Sequence, residues 1–352
     1  MKTRAALGSL CMLLTGALLW QCGGDAIETS AADAGGADAG PDCAGDPACT
    51  GGEPLFVFYV VHVHGPEGRP EFQPATQEEY LGVARTVRRL ADTLEDHGAK
   101  GTFEILQLVA DGAVQYEGAS DNLLVELARR GHEVAAHAHS FQDDQWRRTS
   151  AAIAAAGVQP PTTLGARGSI DMAASAGYTA LTDNFNPLDS HAPPEIANCA
   201  DWGLGGNTVY PRTWNLPHPW RPDATSVPSF CLHDPDGPLV YVDHVGGDWL
   251  TNGCTTSAGP FTSCHFDKLR PYFEAAVALD RQDRITAWGW VSHEVEYCVG
   301  GHQGYDGTAP VDETAIAALE AFLGYIEGRG SGVSWATVGE IVQAFGQWEA
   351  SR

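Results

Sequence analysis

The sequence RGHEVAAHAHS at positions 130–140 decides the fold expected of this chain. Its small apolar residues and its alternation predict a short strand, in which residues two apart lie on one face. His137 and His139 would then face the same way, where the strand runs into a polar loop. A second pair with this spacing, His62 and His64, closes the apolar run LFVFYVV. Neutral imidazole is a good zinc ligand, so the two pairs predict a metal site at the strand C-termini of a β/α barrel.

Strand-like and helix-like segments alternate along the rest of the chain. Helix starts are predicted from caps such as the box formed by Thr76 and Glu79, and helix ends from glycines such as Gly98. Besides the histidine strand, the expected strands are 55–63, 102–106, 164–167, 178–182, 238–245 and 284–292. The expected helices are 76–98, 122–130, 143–156, 171–176, 266–279, 312–327 and one through 345 that follows a turn at 334–338. Repeated β-then-α units predict an α/β fold of about seven parallel strands that closes into a barrel, with a long loop-rich insertion at 184–236.

The N-terminus is expected to direct export. Lys2 and Arg4 precede an apolar run that is too short for a membrane span, and Cys22 follows. Residues 1–22 therefore resemble a bacterial lipoprotein signal with Cys22 as the lipidated residue, although Gln21 stands where a small residue is usual. Simple secretion is the alternative. Residues 23–53, rich in Ala, Gly and Asp, are predicted to be a flexible linker, and 54–352 the folded domain.

Charge and cysteine content limit the partners and the compartment. The 352 residues carry 45 acidic and 20 basic side chains, for a net charge of −25, which argues against nucleic acid as a partner. None of the nine cysteines forms a C-x-x-C pair, which argues against a cysteine-ligated zinc site. Cys43 with Cys49, and Cys254 with Cys264, are predicted disulfides, in keeping with export.

Several motifs occur in the order typical of one enzyme family. They are GAKGTF at 98–103, GHEVAAH at 131–137, Arg167-Gly168 followed by Gly177-Tyr178, a strand that runs into His293, and VSWATVGE at 333–340. Together they resemble the polysaccharide deacetylase (NodB homology) family over residues 54–345. The resemblance implies a distorted (β/α) barrel that removes N- or O-acetyl groups from polysaccharides with a divalent metal, for which we expect zinc. It also implies that His293 protonates the leaving group and that Arg167 orients a catalytic carboxylate.

The sequence departs from this family at the first strand. Family members end that strand in T-F-D-D-G-P, where one Asp is the base and the next a metal ligand. Here VHVHGP places Val63 at the base position and His64 at the ligand position. The family's H-x-x-x-H pair becomes His137 and His139, with Phe141 at the fourth place. Another carboxylate would have to act as the base, and the candidates are Glu104, Asp183 and Asp243, of which Asp183 is kept in the predicted site.

The predicted metal ligands are His64, His137 and His139, with His62 as a further candidate, and the predicted catalytic residues are His293, Arg167 and Asp183. The predicted function is an exported metal-dependent hydrolase, a carbohydrate deacetylase. The alternative is a non-catalytic carbohydrate- or metal-binding lipoprotein that kept the barrel and lost the base. A barrel glycosidase that uses two carboxylates is a further possibility, although no clear pair is found.

The expected partner is a polysaccharide or oligosaccharide, and membrane contact is expected only through a lipid at Cys22. Flat aromatic rings stack on sugars, so tryptophans in the loop-rich middle are candidate sugar platforms. These are Trp202, Trp214, Trp220 and Trp249, for which filling the core is the other interpretation.

Overall fold

A parallel β-sheet lies at the centre of the computed structural model. The structure describes residues 54–66, 75–139, 143–166, 170–182, 218–223, 233–245, 254, 259–279, 284–302 and 305–352. Its strands are β1 (Leu55–Val63), β2 (Thr102–Ile105), β3 (Glu133–Ala138), β4 (Thr163–Ala166), β5 (Ala180–Leu181), β6 (Val240–Tyr241), β7 (Ala287–His293) and β8 (Val333–Trp335). Their order is β6-β5-β4-β3-β2-β1-β7, and β8 adds beside β1.

The two edges of this sheet meet. Val245, just beyond β6, pairs in parallel with Trp290 of β7. Its amide donates to the Gly289 carbonyl at 2.9 Å, and its carbonyl accepts from the Val291 amide at 2.9 Å. Every pairing between named strands is also parallel. The predicted distorted (β/α) barrel is confirmed.

The helices follow the strands as the sequence predicts, with one addition. They are α1 (Gln77–Asp96), α2 (Gln107–Tyr116), α3 (Leu123–Arg129), α4 (Asp143–Ala155), α5 (Ile170–Ser175), α6 (Ser263–Val277), α7 (Glu313–Glu327) and α8 (Val338–Ala350). The capping box of Thr76 and Glu79 starts α1. Helix α2 was not predicted, because its N-cap is Leu106, which has no side chain able to cap. The predicted turn at 334–338 overlaps β8, which pairs with the start of β1.

The two faces of β1 serve different parts of the molecule. Val57, Tyr59, Val61 and Val63 join the core under the helices. The alternate residues Phe58 and Val60 join a smaller cluster inside the barrel. Helix α8 contributes to that cluster through Val338, Ile341 and Phe345. The inner face of β1 therefore runs from an apolar floor to His62 near the mouth, and Val63 lies on the opposite, helix-side face.

The structure tests only some of the predictions about the cysteines and the insertion. The Cys254–Cys264 disulfide is present, and Cys298 is buried and unpaired with another cysteine. The predicted Cys43–Cys49 bridge and most of the 184–236 insertion lie outside the described residues. Within that insertion, Trp220 is fully buried and pairs with Tyr241, so it fills the core. Among the helices that the structure describes, none has the length and apolar character needed to cross a bilayer.

Candidate metal centre and active site

Histidines from neighbouring strands meet at the mouth of the barrel. In the strand register, His62 of β1 stands level with Glu104 of β2 on one side and with His293 of β7 on the other. The ring centroid of His62 lies 4.1 Å from that of His137 and 5.1 Å from that of His293. Five histidines that the sequence analysis singled out are thus brought together by the register of β1, β3 and β7.

The His64 imidazole lies between two other imidazole nitrogens. The His64 Nε2 atom lies 3.0 Å from His137 Nε2 and 3.1 Å from His139 Nε2. A neutral imidazole carries one N–H, so one nitrogen cannot form ordinary hydrogen bonds of the same quality with both partners. Four ligands at about 2.0–2.1 Å around a tetrahedral zinc lie roughly 3.3 Å apart, close to these separations. The ligand atoms of His62, His64 and His137 also lie within 4.8 Å of one another, so this group of imidazoles fits a shared divalent cation.

The environment keeps His64 in the form that binds metals. Removal from water lowers the pKa of His64 well below its ordinary value, and the neighbouring histidines His293, His137 and His139 lower it further. A histidine must lose its proton at the coordinating nitrogen before it binds a cation. The crowding of the imidazoles therefore favours the neutral, ligating form.

A buried carboxylate stands behind the histidines. Glu104 is fully buried, and its Oε2 lies 3.0 Å from His62 Nε2 and 3.4 Å from His137 Nδ1. Its Oε1 accepts a hydrogen bond from the Thr182 hydroxyl. A carboxylate near Nδ1 favours the His137 tautomer that carries its proton there and leaves Nε2 as the ligating nitrogen, as in the carboxylate–histidine–metal arrangement of many sites. Glu104 is thus placed to orient histidines, whereas the sequence offered it as one of three candidate bases.

Gly165 makes room for this carboxylate. It is the partner of His137 in the pairing of β3 with β4. A Cβ atom built at this position would lie 1.5 Å from Glu104 Oε2. Any side chain at 165 would therefore displace the Glu104 carboxylate from the two imidazoles.

A second buried carboxylate fixes the end of β1. Glu294 accepts hydrogen bonds from the His64 amide at 3.0 Å and from the Gly65 amide at 2.8 Å. Gly65 adopts φ 75°, a conformation that favours glycine. Burial raises the pKa of Glu294 to about 7, although the two backbone amides act to lower it. The backbone that carries His64 is held by this contact.

His293 is joined to a third carboxylate. Its backbone amide donates to Glu296 Oε2 at 2.8 Å, and its Nδ1 lies 3.4 Å from Glu296 Oε1. Burial disfavours a charge on His293, but the Glu296 carboxylate outweighs burial and raises the pKa of His293. Burial likewise acts against ionised Glu296, but the charge on His293 and hydrogen bonds from His293 and His302 lower the pKa of Glu296 to about 2. The pair therefore holds a proton on His293, as an acid requires.

Only some of the predicted site residues are among those that the structure describes. It brings together His62, His64, His137, His139 and His293, while Arg167 and Asp183 lie outside the described residues. Asp243 is buried just beyond β6. Glu294, Glu296 and His302 were not singled out from the sequence. The carboxylates directly follow His293 in the string HEVE, and that local pattern was the available signal.

Comparison with known proteins bears on the fold. No family model matches the sequence, and no curated protein matches it. Among solved structures, one named a polysaccharide deacetylase from Mycobacterium smegmatis is 18% identical with a TM-score of 0.52, covering 84% of this chain and 91% of that one.

Two further structures are similar. One is named a polysaccharide deacetylase from Pseudomonas aeruginosa PAO1, with 12% identity and a TM-score of 0.51, covering 83% of this chain and 91% of that one. The other is PuuE allantoinase, with 12% identity and a TM-score of 0.54, covering 85% and 91% of the two chains. At these identities the likeness shows the fold alone. The chain has the distorted (β/α) barrel found in structures named as polysaccharide deacetylases, the family that its ordered motifs resemble.

Proposed function

We propose that this chain is an exported, metal-dependent hydrolase that removes acetyl groups from a polysaccharide or oligosaccharide. The observation that carries the proposal is the position of the His64 Nε2 atom, 3.0 Å from His137 Nε2 and 3.1 Å from His139 Nε2, with the Glu104 carboxylate near the far nitrogen of His137. Two structures with this fold are named as polysaccharide deacetylases, and they supply the substrate class.

His64, His137 and His139 would hold the cation, with zinc as the first candidate because all three donors are imidazoles. When bound, such an ion supplies Lewis acidity for an acyl oxygen and lowers the pKa of water. Glu104 keeps His137 in the tautomer that leaves Nε2 unprotonated, and Glu294 holds the backbone at His64. The chain thus provides a pre-oriented ligand set.

His62 would act as the general base, a role that the valine at position 63 cannot fill. Val63 packs under the helices, whereas His62 faces the barrel mouth. Its Nε2 lies 3.0 Å from the Glu104 carboxylate, which would stabilise the imidazolium formed when the other ring nitrogen takes a proton. Histidine is a common general base because its ordinary pKa of about 6.5 lies near working pH.

His293 completes the proton transfers as the acid. With Nδ1 beside the Glu296 carboxylate, Nε2 is the nitrogen that would hand a proton to the leaving group. The ring centroids of His293 and His64 lie 4.6 Å apart, so acid and metal ligand border the same space. The base and the acid would each be a histidine with one ring nitrogen beside a buried glutamate carboxylate.

Export belongs to the same proposal. Residues 1–22 would direct the chain out of the cytoplasm, with Cys22 as a lipid anchor to the cell envelope, where polysaccharides are accessible. The Cys254–Cys264 disulfide supports an oxidising compartment.

The test is acetate release by protein stripped of metal and reloaded with zinc. Acetylated chitooligosaccharide and acetylated xylan are the substrates, with an aryl acetate as a simple screen. We expect turnover that needs zinc and is lost in the His137→Ala/His139→Ala variant, which should stay folded. The control is His97→Ala, which changes a histidine paired with Glu327 elsewhere on the surface.

One observation favours a second function, a non-catalytic carbohydrate-binding lipoprotein. The position of the family's base is held by Val63, which has no carboxylate. Its side chain packs in the core under the helices. Zinc bound at the histidines, sugar binding by calorimetry and no acetate release on any substrate would together contradict the hydrolase and support this alternative.

A further inference from the structure

We propose that His293, Glu296 and His302 form a second divalent-cation site beside the first. Each side chain offers one ligand atom, and the three atoms lie within 4.8 Å of one another. The site would take a transition metal such as Zn²⁺ or Co²⁺, since two imidazoles and one carboxylate are a donor set that these ions accept.

The distances that form two long hydrogen bonds to Glu296 would also suit a shared cation. Glu296 Oε1 lies 3.4 Å from His293 Nδ1 and 3.4 Å from His302 Nε2. Hydrogen bonds between a charged imidazole and a carboxylate are normally about 2.7–2.9 Å, whereas ligand atoms around a tetrahedral zinc lie roughly 3.3 Å apart. The oxygen therefore stands midway between two nitrogens at a spacing that a bound metal would produce.

The carboxylate is held in this orientation by the backbone. Glu296 Oε2 accepts the His293 amide at 2.8 Å, which leaves Oε1 directed at the two rings. Hydrogen bonds of this kind to the second oxygen commonly orient carboxylate ligands.

The local fold brings His302 back to this carboxylate. Gly300 and Gly301 adopt φ 92° and 60°, and the Gly301 amide donates to the Cys298 carbonyl at 3.0 Å. Such a turn requires the positive φ values that glycine allows. It reverses the chain after the short 3₁₀ helix Glu294–Tyr297, so that His302 and His293 face one another with ring centroids 5.1 Å apart.

The second site is accessible and lies close to the first. The side chains of His293 and His302 are 23% and 25% exposed, so an ion can enter from solvent. A cation on His293 Nδ1 would replace the proton that Glu296 otherwise holds there, so occupancy of this site would compete with the acid role proposed for His293. Occupancy of this site goes beyond the proposed hydrolysis, since binding requires no turnover.

The experiment counts metal ions. Full-length processed protein is stripped with chelator and titrated with Zn²⁺ and with Co²⁺, and bound metal is measured by elemental analysis after gel filtration. We expect two equivalents in the wild type, one in His302→Gln, and one in His137→Ala/His139→Ala. His97→Gln is the matched control, because His97 pairs with Glu327 at 3.0 Å as an ordinary surface pair, and it should keep two equivalents.

One equivalent in the wild type that folded His302→Gln retains would overturn the second site, and so would two equivalents in folded His302→Gln. No bound metal in the wild type would overturn the proposal without any variant. A second site without any acetate release would leave this inference standing and contradict the hydrolase, so the two failures are distinguishable.

Discussion

Gly165 has no side chain, and the Glu104 carboxylate occupies the space in which one would lie. Replacing Gly165 with Ala should push that carboxylate away from His62 and His137. Loss of a carboxylate behind a ligating histidine typically lowers metal affinity about 10–100-fold. We expect a weakening of that size for zinc in Gly165→Ala, measured by competition with a chromophoric chelator.

The matched control is Gly346→Ala, because a Cβ built at Gly346 in α8 meets no atom within 4 Å. That variant should bind zinc like the wild type and be slightly more stable, by about 0.5–1 kcal/mol. Equal zinc affinity in both variants would show that Glu104 does not act on the ligands.

His62 tests whether the residue beside Glu104 moves protons or binds metal. As a base it should be dispensable for binding, so His62→Gln should keep its zinc and lose about 10²–10⁴-fold in kcat with little change in KM. Metal content and steady-state kinetics on an acetylated substrate measure the two properties separately. If His62→Gln loses zinc in parallel with activity, His62 is a fourth ligand and the assignment of the base is wrong.

At the scale of elements, β1 and α8 meet inside the barrel. Phe345 of α8 is fully buried there and stacks on Trp348 with ring centroids 5.4 Å apart. Truncating a buried aromatic side chain costs about 3–5 kcal/mol, because contacts are lost and a cavity remains. Phe345→Ala should therefore lower the free energy of unfolding in urea by that amount.

The same variant should leave zinc stoichiometry unchanged under native conditions, since the metal centre lies at the barrel mouth. Leu81→Ala is a suitable reference, because Leu81 is 41% exposed on α1 and its truncation should cost far less. A loss of zinc without a loss of stability in Phe345→Ala would mean that α8 does not form the apolar floor.

Elements with local signals were predicted well from the sequence. Strand β1 has the predicted bounds because its apolar run is continuous, and α1 starts where its capping box requires. Helix α2 was missed because no side chain caps it at Leu106. Strand β8 was predicted as part of a turn, since three residues show no periodicity and are held only by pairing with distant β1.

The site shows the same division between local and non-local information. The two His-x-His pairs were predicted at the ends of β1 and β3, where His62 and His137 lie in the strands and His64 and His139 lie one residue past them. The orienting position of Glu104 depends on register and on the gap at Gly165, neither of which is visible before the strands are paired. His302 reaches Glu296 only through the turn at Gly300 and Gly301.

At the scale of the whole molecule, buried neutral histidines make stability depend on pH. His132 is 5% exposed, and its Nδ1 accepts the Gly101 amide at 3.1 Å. Burial lowers the pKa of His132 to about 4, although Glu95 acts to raise it. The unfolded chain, with a histidine pKa of about 6.5, binds a proton between these values that the folded chain does not. Stability therefore rises with pH across this window and is lost as pH falls from about 6.5 to 4.

The size of this effect follows from linkage. Between pH 7 and pH 5, His132 should account for a loss of about 2 kcal/mol in the free energy of unfolding. His132→Asn retains an acceptor for the Gly101 amide and cannot titrate, so its urea-unfolding free energy should fall by about 2 kcal/mol less than that of the wild type over the same pH interval. His218, whose pKa burial also lowers to about 4, should leave a residual dependence of the same sign in that variant. An identical fall in both proteins would mean that His132 takes up its proton in the folded state, and that the contact with Glu95 outweighs its burial.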